Sequence, residues 1–216
     1  MNAKIITIVY QKEIIVNNMI TSNLVVELSK KHIISVLDLD VQRSFSRFVA
    51  SRGDSKPKIN LLPLPIHESE FQNLINRHQE GILLIDTRGF DLEIQQVAIL
   101  SADMVIIPMI DSIMELNRLT LLSQTIRDLN TKKTNLKPLI LLNRVHLLAG
   151  QSLDNLKSSI NDATKNEYGI MDSVLHDLRE YKDAYYQGLS VIELDKATEA
   201  AKEITALIQE IELKLI

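Results

Sequence analysis

Apolar residues along the chain gather into short unbroken runs. Five of these have strand length: residues 4–9, Ile34–Asp38, Ile82–Asp86, 104–108 and 138–142. They do not alternate with polar residues, which is how strands read when a parallel sheet is covered on both faces. Between them the spacing changes to helical. Ile20, Leu24 and Leu28 fall four apart, with Lys30 and Lys31 placed to favour that helix's C-terminal end. Ser112 and Glu115 have capping-box spacing and open a helix predicted to reach about residue 130. Asp195 is expected to cap a last helix whose apolar stripe is Ala200, Ile204, Leu207, Ile208 and Ile211. Strands alternating with helices imply right-handed βαβ units. The expected fold is α/β: a doubly wound, mainly parallel sheet flanked by helices. Residues 52–57 are the most loop-like stretch and are too short to divide domains, so one domain over 1–216 is expected.

Composition narrows the function. Of 216 residues, 45% are hydrophobic, enough for a sizeable core. A net charge of −4 excludes a globally basic nucleic-acid binder, though not a local basic patch. Cysteine is absent, which removes disulfides, thiolate metal sites and cysteine nucleophiles. The five histidines show no metal-ligand spacing. No apolar run approaches the roughly 18 residues of a membrane span, and the N-terminus lacks a signal-peptide layout. The last helix ends in a mixed-to-acidic stretch, Glu210 to Ile216, which reads as a packing helix and not a membrane anchor. A cytoplasmic protein is expected.

In a doubly wound sheet, ligands bind beyond the carboxyl ends of the strands. Asp38, Asp40, Asp86 and Asn143 fall at such ends. Aspartate is also a common turn and cap residue, so each alone has a purely structural alternative. Three carboxylates and an amide along one sheet edge make a candidate site.

These residues resemble the ParA/MinD family of deviant Walker ATPases, in particular the short ParA-type plasmid-partition proteins. The first strand is followed by Gln11-Lys12, the residues Glu13 to Met19, then Asn23-Leu24. The family's second motif is similar to Leu37-Asp38-Leu39-Asp40-Val41-Gln42-Arg43-Ser44. Its Walker B strand is similar to Leu84-Ile85-Asp86-Thr87. Ala102-Asp103 to Pro108, Asn143-Arg144, and the stretch from Asp172 through Tyr181 to Val191 follow in the family's order. The resemblance implies an ATP- and Mg-dependent switch. In it Asp38 acts near magnesium and Asp40 orients the attacking water. Asp86 stands behind the magnesium as the Walker B carboxylate, and Asn143 reads adenine. Lys12 reaches across a dimer to the partner's phosphates, while Asn17 and Asn18 occupy the lysine and hydroxyl positions of the phosphate loop. It further implies a ParB-type partner protein, non-specific DNA with Arg179 and Lys182 as contacts, nucleoid association, and a homodimer or a heterodimer with an active ParA relative. Lys132, Lys133 and Lys137 are further basic candidates for DNA, with ordinary solvated surface charge as the alternative.

The phosphate loop itself departs from the pattern. A phosphate-binding loop relies on glycines that aim successive N–H groups at phosphate, a lysine on the β and γ oxygens, and a hydroxyl on magnesium. Here the glycine positions hold Glu13, Ile14 and Val16, the lysine position Asn17 and the hydroxyl position Asn18. β-Branched residues resist positive φ, and Glu13 adds negative charge where phosphate lies. Asparagine is a strong N-cap, so Asn17 or Asn18 is expected to take phosphate's place at the start of the next helix. The expectation is a ParA-like partition or positioning protein whose ATP hydrolysis is lost or very weak. The alternatives are an active switch with an atypical loop and an interaction module that regulates an active relative.

Overall fold

A computed structural model of the chain describes residues 3–9, 18–40, 42–53, 56–65, 67–87, 92–110, 112–131, 136–146 and 153–215. The elements run β1 (Lys4–Ile8), α1 (Asn18–Leu28), β2 (Ile34–Asp38), α2 (Ser44–Ser51), β3 (Asn60–Leu61), α3 (Glu68–Arg77), β4 (Ile82–Asp86) and α4 (Leu92–Ser101). They continue with β5 (Met104–Met109), α5 (Ile113–Asn130), β6 (Leu139–Val145), α6 (Leu153–Thr164), β7 (Gly169–His176), α7 (Arg179–Tyr186), α8 (Val191–Leu194) and α9 (Glu199–Leu215). The strands form one parallel sheet in the order β3-β2-β4-β1-β5-β6-β7. β1 therefore sits between β4 and β5, with the chain winding outward on either side of it.

The continuous apolar runs have a direct cause. Neighbouring residues on a strand point to opposite faces, and both faces are covered. Ile6, Ile8, Val36, Leu84, Ile106 and Leu141 pack with α1, α2 and α9. Their neighbours Leu37, Leu83, Ile85, Val105, Ile107 and Ile140 pack on the other side, against α3 and α4 at one end and α5 and α6 at the other. The five predicted runs are β1, β2, β4, β5 and β6. The two edge strands carry no such signal. β3 is two residues long, and β7 is interrupted by exposed or half-buried polar residues because its outer side faces no strand.

Helix ends differ in two places from the expectation. The Ser112 side chain does accept from the Glu115 N–H, at 3.2 Å, but the Glu115 carboxylate turns to Arg118 and does not close a capping box. Asp195 ends α8, and the cap of α9 is Thr198, whose Oγ1 accepts from Ala201 N at 3.2 Å. Asp195 accepts instead from Ala197 N in a local turn.

Candidate functional site

Register brings the strand-end carboxylates together. Asp38 on β2 lies directly beside Asp86 on β4, which lies beside Ile8 at the end of β1. Their even-numbered strand neighbours Val36 and Leu84 belong to the face covered by α1 and α2, so both carboxylates point to that face. Each is buried and each meets a hydroxyl from the helix above it. Thr21 Oγ1 on α1 donates to Asp86 Oδ2 at 2.7 Å. Ser46 on α2 donates both its N–H and its Oγ to Asp38 Oδ2, at 3.0 Å each, and Asp38 Oδ1 accepts from Asp40 N at 3.1 Å. Burial still dominates at Asp38 and raises its pKa above the ordinary carboxylate range. Asp40 is also buried. It folds the next turn onto itself by accepting from Gln42 N at 3.0 Å and Ser44 N at 3.4 Å. That turn places Arg43 in the left-handed region, φ 50°.

Asn143 lies elsewhere along the same edge. From β4 to β6 is three strand spacings, roughly 14 Å. Asn143 is buried at the end of β6 and lines a shallow cleft with Ile20, His176, Asp177, Tyr181 and Lys182. The next residue, Arg144, turns left-handed and reaches Asp177 with Nε at 3.2 Å and Nη2 at 3.3 Å. The hydrogen bonds from Arg144 hold the Asp177 carboxyl below its usual range.

The basic candidates part company. Lys182 stands at the rim of the Asn143 cleft, whereas Arg179 is 88% exposed and pairs with Asp183 on its own helix at 3.1 Å. Lys137 precedes β6. Lys132 and Lys133 lie outside the described residues, as do Lys12 and Asn17. Helix α1 starts at Asn18, whose side chain is likewise outside them.

Sequence reasoning missed the scaffold that holds α1 and α2 over these carboxylates. Both helices are tied to the corner between α7 and α8. Asn23 on α1 accepts from Val191 N at 2.8 Å, and Ser190 Oγ donates to Glu27. At the end of α2, Arg52 donates to Gly188 O at 2.9 Å and forks onto Glu193 at 2.9 and 3.1 Å. Glu193 also closes a capping box with Ser190. Burial works against the Glu193 charge, but the bonds from Arg52 and Ser190 outweigh it and lower its pKa. Gly188 is needed at this corner. Its φ is +67°, and an added Cβ would meet the Ser51 carbonyl carbon at 2.7 Å. Tyr185 completes the clasp, donating to Ser44 O at 2.8 Å and stacking on Phe48. A signal for Thr21 exists in the sequence. It stands three residues after Asn18, one helical turn on, and so shares its face.

Chemically, the Asp38–Asp86 pair is the donor type a divalent cation takes, and Asn143 suits the edge of a base. The segment that follows β1 lacks the residue types of a phosphate loop: the sequence from 10 to 19 has no glycine, no lysine at position 17 and no hydroxyl at position 18. The hydroxyls that meet the carboxylates come instead from Thr21 and Ser46. Among the described residues, no group of three or more histidines and carboxylates is arranged to hold a metal, and no helix is long and apolar enough to cross a membrane.

Comparison with known proteins identifies the fold. No protein-family model matches the sequence, and no curated protein matches it. Solved structures do. MinD in the MinC:MinD cell division complex of Aquifex aeolicus superposes with TM-score 0.73 at 15% identity, over 97% of this chain and 96% of that one. An ATP complex of McdA from Cyanothece gives 0.71 at 16% identity, over 97% and 96%. A plasmid partition protein from Borrelia burgdorferi B31 bound to AMPPNP gives 0.67 at 17% identity, over 99% and 100%. The chain has the fold of the MinD, McdA and ParA ATPases.

Proposed function

We propose that the protein is a ParA-like partition or positioning factor that has given up ordinary ATP hydrolysis. The observation that carries this is the internal satisfaction of the site. Thr21 takes Asp86, Ser46 and Asp40 N take Asp38, and Asn23 and Glu27 dock α1 onto the α7–α8 corner. Helix α1 is thus held over the carboxylates by this chain's own groups. The loop before it lacks the residues that would make nucleotide the organising ligand. MinD, McdA and the partition protein supply the fold analogy, and two of their structures hold ATP or AMPPNP. A ParB-type partner, a cytoplasmic location, one domain over 1–216 and a dimer, with itself or with an active relative, belong to the same proposal. So does weak DNA binding through Arg179 and Lys182. That binding should be phosphate-directed and fall as salt rises, with Arg179 partly engaged by Asp183.

The test is calorimetry of ATP and ADP with magnesium at about 100 µM protein, a concentration set by the affinities to be detected. Absence of heat and of competition is expected. Micromolar binding would overturn the proposal and favour the second reading, an active switch with an atypical loop. In that case Asp38, Asp40, Asp86, Asn143 and Lys12 serve the roles their positions suggest.

A further inference from the structure

β7 is an edge strand, and its outer side is not bare. Its pairing with β6 is irregular. Ile140 and Leu142, two positions apart on β6, meet Ile170 and Val174, four apart on β7. The surplus makes a bulge, and a bulge turns main-chain N–H groups out of the ladder. Those of Asp172 and Ser173 donate to the two oxygens of Glu210 on α9, at 3.0 and 2.9 Å. Two helical turns earlier, Glu203 accepts from His176 N at 3.1 Å and from the Tyr181 hydroxyl at 2.7 Å, and its other oxygen faces His176 Nδ1 at 2.6 Å. Glu203 and Glu210 are seven residues apart and lie along one side of α9. The buried Ile204, Leu207 and Ile211 hold that helix on the sheet.

An exposed strand edge is a template for another strand. A carboxylate supplies acceptors to such an edge but no donor, so it satisfies the N–H groups and ends the sheet there. The opposite edge is closed by other means. β3 has two residues, with Pro57 before it and Pro63 and Pro65 after it.

We propose that Glu210, supported by Glu203, closes the β7 edge in place of an eighth strand. This side-chain cover prevents β7 from pairing with the β7 of a second copy. Site-resolved amide exchange and light scattering on the full chain test it, comparing wild type with Glu210→Ala and Glu210→Gln. In Glu210→Ala, the Asp172 and Ser173 amides should exchange about tenfold faster or more while those of β1 and β4 keep their wild-type rates, since only a local acceptor is removed. Its mass should rise with concentration above that of the wild type at the same concentration. Glu210→Gln keeps one acceptor oxygen, so its effect should be smaller, and it stands in if the alanine variant fails to fold. Unchanged exchange at Asp172 and Ser173 would overturn the cover. Uniform acceleration across the sheet would do so as well, by reducing Glu210 to a general stabiliser. Fast local exchange with an unchanged, concentration-independent mass would overturn the pairing with a second copy.

Discussion

Thr21 carries one of the few hydroxyls fully buried near the strand ends, and its bond to Asp86 is a charge-assisted one in a site without bulk water. Replacing it with valine keeps the shape and removes a donor from a buried carboxylate. Thr21→Val should lower unfolding free energy by about 1–3 kcal/mol, whereas Thr21→Ser should recover most of the loss. Urea titrations of the two variants measure this. Gly188 answers to a different constraint. Gly188→Ala forces a side chain into a left-handed turn and against the Ser51 backbone, so a loss of at least about 1–2 kcal/mol is expected from conformation alone, seen as a lower thermal midpoint. Asp38, Asp40, Asp86 and Asn143 were legible because a polar residue that ends an apolar run stands out. Thr21 was less so: its spacing from Asn18 hints at a shared face, but a threonine in the first turn of a helix buried almost all round has many uses, and only the fold places it over Asp86.

Among the elements, the short α8 and the corner before it contribute out of proportion to their length. They fix α1 through Asn23 and Glu27 and fix α2 through Arg52. The Arg52 and Glu193 side chains are 5% and 13% exposed, so removing one partner leaves a mostly desolvated charge behind. Arg52→Ala should cost about 3 kcal/mol or more, and Arg52→Lys should rescue little because an ammonium cannot fork onto both Glu193 oxygens. A double-mutant cycle with Glu193→Gln separates their coupling from the loss of the Gly188 contact. Interior strands were readable as apolar runs, since burial on both faces leaves few polar positions, such as Thr7 and Ser35. β3 and β7 were not, because edge strands are shaped by what they must avoid as well as by what they bury. The start of α9 misled for a related reason. Asp195 and Thr198 are both good cap residues three positions apart, and only the intervening α8 turn decides between them.

For the molecule as a whole, the shifted carboxyls set the response to pH. Hydrogen bonds from Arg144 to Asp177 and from Lys31 to Glu212 hold those two groups low. At Glu193 and Glu210 burial is the larger single influence and opposes ionisation, yet the hydrogen bonds they accept outweigh it. A depressed folded-state pKa adds stability above the unfolded value, and that stability is lost as pH falls through the folded one. Asp38 has the opposite sign. Raised in the fold, it favours the native state at low pH, and that contribution is lost as pH rises through its folded value. The depressed groups should make the urea midpoint climb as pH rises from about 3 to 5, and Asp38 should oppose that climb as it loses its proton. Asp38→Asn removes the opposing contribution, so its midpoint should gain more across the acid range than that of wild type. An equal gain in the two proteins would contradict the Asp38 assignment.

The place of β1 also governs how the chain can be built. Of the described strands it comes first in the chain, and its two neighbours, β4 and β5, both follow far along it. Lys4 waits about 80 residues for Ile82, which at typical synthesis rates of roughly 5–20 residues per second is on the order of 4–16 s. During that interval β1, with Ile5, Ile6 and Ile8 among its five residues, lacks both strands that flank it in the sheet. Slowing translation before β4 should therefore increase capture of the nascent chain by chaperones.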